Sequence, residues 1–149
     1  MYKGKTIICI TGLTCSGKSN IAERLSSRQS VIEIDRLVRA YNIKHFPNRK
    51  QLDDVLAKPN GIALLEAESF SSIKNTLLER IEGAEEPTVF VDGIQGPKLL
   101  GEFVDTVMTV QTTPEKTKEY AQAKGWDMGK LEAIQRLNLQ QDPDMRMLV

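Results

Sequence analysis

Near its start the chain has an unbroken apolar run, Ile7, Ile8, Cys9 and Ile10, set between Thr6 and Thr11. A short β-branched run of this kind predicts a strand buried on both faces at the centre of a parallel sheet. From Lys18 the spacing turns helical, with Ile21, Ala22 and Leu25 on one face until the polar stretch 26–30 stops it. Val31 to Ile34 predicts a second strand ending at Asp35, and Leu37, Val38 and Tyr41 open another helix. Gln51 to Ala57 reads as a helix. Beyond Pro59 and Gly61 a longer one follows, with Leu64, Leu65, Ser69, Ile73, Leu77 and Ile81 near one stripe. Thr88 to Val91 predicts a third strand closing on Asp92-Gly93, and Phe103 to Val110 a fourth. Pro114 suits the first turn of a helix running to about Lys124. Asp127 can cap a last helix through Gln141.

Strands alternating with helices imply an α/β fold whose parallel sheet, here of four to five strands, is covered by helices on both sides. Ligands of such sheets bind beyond the carboxyl ends of the strands. Gly12 to Ser19, Asp35 and Asp92 all fall at predicted strand ends. The 149 residues suit one domain, of a size that buries roughly 68–70% of the surface its unfolded form exposes.

Charge narrows the partners. Twenty basic residues balance twenty acidic ones, so there is no general attraction to nucleic acid or to anionic lipid, and any anion site must be local. No segment approaches the ~20 apolar residues of a membrane span. Two cysteines, Cys9 and Cys15, make no disulfide framework, and the expected location is a reducing cytoplasm. No cluster of His and Cys has metal-site spacing.

The stretch "GLTCSGKS", Gly12 to Ser19, is the strongest chemical signal. G-x-x-x-x-G-K-S between a strand and a helix is a phosphate-binding loop. Gly12 and Gly17 permit backbone angles that let the amides from Thr14 through Cys15, Ser16 and Gly17 to Ser19 converge on a phosphate. The helix that starts there adds its positive end, and Asn20 continues the nucleotide-binding positions. Lys18 can reach β- and γ-phosphates, and the Ser19 hydroxyl can hold Mg²⁺. Asp92, after the apolar strand "TVFV", suits a carboxylate that orients a magnesium-bound water, or equally an Asp at a turn. Asp35 would project into the same crevice, where it can take a proton from an acceptor hydroxyl or cap the helix that follows.

With "VIEIDRLVR" and the end region added, the chain resembles the P-loop nucleoside and nucleotide kinases, most closely the dephospho-coenzyme A kinases. Asp35 followed by Arg39, the strand "VFVDG", Thr113-Pro114-Glu115, and Arg136 with Gln140 in R-x-x-x-Q match that family's pattern. The resemblance implies a three-layer P-loop kinase fold with its core in 1–44 and 86–121, a helical acceptor-binding segment in 45–85 and a helical lid in 122–141. It implies a transferase that passes the γ-phosphoryl group of ATP, with Mg²⁺, to a nucleotide-like small molecule, dephospho-coenzyme A being the leading candidate. Lys18, Asp35 and Arg136 would be catalytic, Arg136 closing over the nucleotide, with Asp35, Arg39 and Asp92 on the acceptor side. Leu13 and Cys15 replace glycines common in the family's loop, and Tyr120 and Lys124 stand where it usually carries arginines.

Two other readings stay open. A (deoxy)nucleoside monophosphate kinase would need an arginine-rich acceptor pocket, for which Arg36, Arg39 and Arg49 are the candidates. A nucleotide-binding module without catalysis would also carry the loop. Of the smaller features, Cys15 suits either a redox-sensitive thiol or a space-filling side chain. Cys9 reads as core and His45 as an incidental loop residue, while Trp126 reads as an anchor for the lid hinge rather than a platform for adenine.

Overall fold

The computed structural model describes residues 1–12, 18–26, 29–110 and 113–141. Its centre is β1 (Thr6–Thr11), which lies between β3 (Thr88–Asp92) and β4 (Thr106–Thr109), while β2 (Ser30–Glu33) pairs with the far side of β3. All pairings are parallel, and the strand order is β2-β3-β1-β4. The apolar runs occupy the two middle positions. Ile7, Cys9, Ile10, Val89 and Val91 are wholly buried, whereas most of β4 is exposed, as an edge strand permits. The fourth strand is shorter than its sequence suggests, because residues Gly101–Phe103 form a 3₁₀ turn. Asp105 then joins β1, its N–H donating to Ile7 O at 3.0 Å while its Oδ2 accepts from Ile7 N at 2.7 Å.

Helices α1 (Lys18–Ser26) and α2 (Ile34–His45) flank β2. The second strand ends at Glu33, two residues earlier than the sequence suggests: Ile34 is already helical and buried, so Asp35 stands in the first turn of α2 rather than at a strand end. Helix α3 (Arg49–Leu56) precedes the long α4 (Gly61–Glu82). A Cβ at Gly61 would lie 1.9 Å from Val55 O, so only glycine lets the first turn of α4 approach the end of α3 this closely. Leu65, Ser69, Ile73, Leu77 and Ile81 recur every fourth residue and form the buried stripe of α4. Leu64 does not belong to it. One residue is a rotation of about 100° on a helix, and that carries Leu64 to the surface, 41% exposed.

A helix that the periodicity does not announce, α5 (Gly96–Leu100), follows β3 and buries Leu99 and Leu100. The chain closes with α6 (Pro114–Ala123) and α7 (Met128–Gln141). Thr113 caps α6 by accepting from Lys116 N at 3.3 Å, with Pro114 in the first turn. Asp127 caps α7, its Oδ1 accepting from Lys130 N at 2.7 Å. Among the described residues no helix is long and apolar enough to cross a membrane.

Candidate functional site

The connection leaving β1 runs past β3 to reach β2, and the connection leaving β3 runs past β1 to reach β4. Such opposed crossovers put a ligand crevice beyond the carboxyl ends of the two middle strands. Gly12 is buried at the end of β1, and α1 begins at Lys18, so the phosphate-loop motif has a strand before it and a helix after it. Thr14, Cys15, Ser16 and Gly17 lie outside the described residues, as do the side chains of Lys18, Ser19 and Asn20. The backbone of these last three forms the opening turn of α1. Amides in that turn have no carbonyl partner inside the helix and carry its partial positive charge.

Asp92 ends β3 at 8% exposure, in register with Ile10 on one side and Glu33 on the other. The next residue, Gly93, donates its N–H to Ile10 O at 3.0 Å. Its φ is +155°, and a Cβ there would come within 2.9 Å of Ile34. This close approach joins the neighbour of Asp92 to the neighbour of Asp35. The two carboxylates therefore hang from one rigid junction between β3 and α2. Thr11, also buried, has its hydroxyl 3.3 Å from that of Thr109, which ties the ends of β1 and β4 together.

Asp35 lines a cleft of about 600 Å³ between α2, α4 and α5. Most of its wall is apolar, with Val38, Leu65, Phe70 and Leu99 contributing. Its charged residues are Asp35, Glu66 and Lys98, and Gln95 crosses it by donating Nε2–H to Glu66 Oε1 at 2.8 Å. Ser69 is buried on the same wall and turns its hydroxyl back to Leu65 O at 2.8 Å, which satisfies it without narrowing the cleft.

The chain is similar in structure to TT1252 from Thermus thermophilus, with a TM-score of 0.76 over 93% of this chain and 83% of that one, at 23% identity. The likeness is one of fold. No protein-family model and no curated protein sequence matches the chain.

The sequence-selected residues divide into those the fold brings together and those it does not. Gly12, the start of α1, Asp92 and Asp35 gather at the carboxyl ends of β1, β3 and β2. Arg39 stands one turn beyond Asp35 on α2, exposed, and does not line the cleft. Arg136 is exposed on α7, which packs on α6 through Leu131 and Ala121. Trp126 joins that small cluster, its ring flanked by Lys124 Nζ at 5.1 Å and Lys130 Nζ at 4.7 Å, as an anchor between the two helices would be. His45 stacks on Tyr41 at the end of α2, with ring centroids 4.1 Å apart. Cys9 is core, and burial pushes its thiol up to about 12.

Glu66, Gln95 and Lys98 escape a sequence-only reading. The one available signal was Pro97 just after Gly96, the mark of a helix start, in a helix only five residues long.

Among the described residues no group of three or more His, Cys, Asp or Glu side chains is placed to hold a metal ion. Asp92 is the buried carboxylate at these strand ends, a hard oxygen donor of the kind that Mg²⁺ takes.

Proposed function

We propose that the chain is a P-loop kinase that uses magnesium ATP to phosphorylate a hydroxyl of a nucleotide-like small molecule, with dephospho-coenzyme A as the leading acceptor. The observation that carries this reading is the position of Asp35. It lines a mostly apolar cleft large enough for a small-molecule acceptor, from the first turn of the helix that follows β2.

A bound magnesium nucleotide supplies the transferable phosphoryl group. Ser19 would hold the metal and Lys18 the β- and γ-phosphates, with the opening amides of α1 adding positive potential. Asp35 accepts the proton of the acceptor hydroxyl, leaving the oxygen free to attack. Gly93 against Ile34 fixes the turn of α2 that carries Asp35. Arg136 would cover the nucleotide when α6 and α7 approach. Charge spreads over the transferring group, so such contacts act mainly in the transition state.

The cleft speaks against a monophosphate as acceptor. None of Arg36, Arg39 and Arg49 is among its lining residues, and Arg36 is engaged with Glu33 at 2.8 Å. An ADP-release assay with dephospho-coenzyme A, nucleosides and nucleoside monophosphates tests this. Turnover is expected with a hydroxyl acceptor; turnover confined to monophosphates, or none beside clear ATP binding, would remove the assignment.

A further inference from the structure

One polar contact inside the cleft has its direction fixed by chemistry. A carboxylate oxygen accepts, so the nitrogen of the Gln95 amide must face Glu66 Oε1, and the carboxamide cannot turn over without losing the 2.8 Å bond. The bond is part-buried and joins α4 to the residue before α5. Among the described residues the Gln95 side chain makes no other hydrogen bond, which leaves its second N–H and its Oε1 for a ligand. Both belong to a residue of a wall that is otherwise mainly apolar, where an unmatched ligand would leave them unpaired.

We propose that Gln95, held by Glu66, reads the base edge of a nucleoside-type acceptor: an exocyclic amine beside a ring nitrogen, the edge that adenine offers. Glutamine pairs with that edge through two bonds, Oε1 accepting from the amine and the amide N–H donating to the ring nitrogen. The amide is already oriented, so its ordering cost falls before binding rather than during it. Glu66 acts through Gln95 and is a positioning residue. A cleft of about 600 Å³ has room for a base at Gln95 and a sugar hydroxyl toward Asp35. The assignment rests on the kinase reading for the role of Asp35, and its test is separable from that reading.

Adenosine and purine riboside, which lacks the exocyclic amine, are titrated calorimetrically into the full-length chain and three variants. The wild type is expected to bind adenosine about tenfold or more tightly than purine riboside. Gln95→Leu and Glu66→Leu bring that ratio close to one. Glu66→Gln, whose amide oxygen still accepts from Gln95, restores it, which a merely structural loss would not. No adenosine binding, equal binding of both ligands by the wild type, or an unchanged ratio in Gln95→Leu overturns the proposal. Discrimination without ADP release from any acceptor keeps it and removes the kinase reading; ADP release with an unchanged ratio in Gln95→Leu does the reverse.

Discussion

The sheet-anchored part of the molecule and the terminal helix pair are held by very different amounts of core. Helix α4 buries Leu65, Ser69, Ile73, Leu77 and Ile81, and its lower three join the main cluster with Ile7, Cys9, Val89 and Val91. The α6–α7 pair has a core of its own made of Ala121 and Leu131, with Tyr120 and Trp126 packed against it. The first region carries the cleft, Asp35 and the root of the phosphate loop; the second carries Arg136. The cleft and Asp35 are thus placed by elements that share the main core, while Arg136 rides on a pair with few buried contacts. Regions of the second kind open locally at low cost, and lids are drawn from them.

The sharpest way to break this division is at Lys18. Lys18→Ala is expected to lower turnover by on the order of 10²–10³ and to weaken ATP binding in calorimetry. Wild-type nucleotide affinity in that variant would contradict the role given to the loop. A second test compares two leucines. Leu77→Ala, in the main core, should cost about 2–5 kcal/mol in urea unfolding. Leu131→Ala, in the satellite core, should leave the urea midpoint almost in place and raise hydrogen exchange only in α6 and α7. Equal losses of global stability would show the pair to be part of the same cooperative unit.

The smallest effect is electrostatic and lies at the sheet edge. The Met1 amino group, hydrogen-bonded to Asp105 Oδ1 at 2.8 Å, and then the Ile7 N–H hold the Asp105 carboxyl below its ordinary value of 3.8. A carboxyl depressed in the folded state adds stability above its unfolded value and loses it as pH falls through the folded one. Asp105→Asn should therefore flatten the acid side of the stability curve below about pH 4 and leave α6–α7 exchange unchanged. An acid limb identical to that of the wild type would contradict the pairing.

Much of the fold could be read in the order of residues, because the strongest patterns coincide with the deepest burial. The run Ile7 to Ile10 and "TVFVD" are the two central strands, and Pro114 and Asp127 mark the helix starts where their chemistry requires. Reading failed where tertiary packing decided. Ile34 is β-branched and continues an apolar run, yet it opens α2 because its side chain fills the space beside Gly93. Leu64 sits next to the buried stripe of α4 but one residue out of phase. Helix α5 is too short for periodicity to mark. The candidate site divides in the same way: a phosphate loop is a local motif and Asp92 follows from the end of a strand, whereas Asp35, expected at one, stands in the first turn of α2. Glu66, Gln95 and Lys98 come together only when α4 folds across α5, and no spacing along the chain encodes that.

The central claim is that Asp35 takes the proton of an acceptor hydroxyl beside a separately bound nucleotide. Its most direct test pairs two measurements on Asp35→Asn: the heat of magnesium ATP binding, and transfer of label from γ-labelled ATP to dephospho-coenzyme A. The account predicts nucleotide affinity equal to the wild type and label transfer reduced by on the order of 10²–10⁴. Label transfer at the wild-type rate in the variant would contradict it.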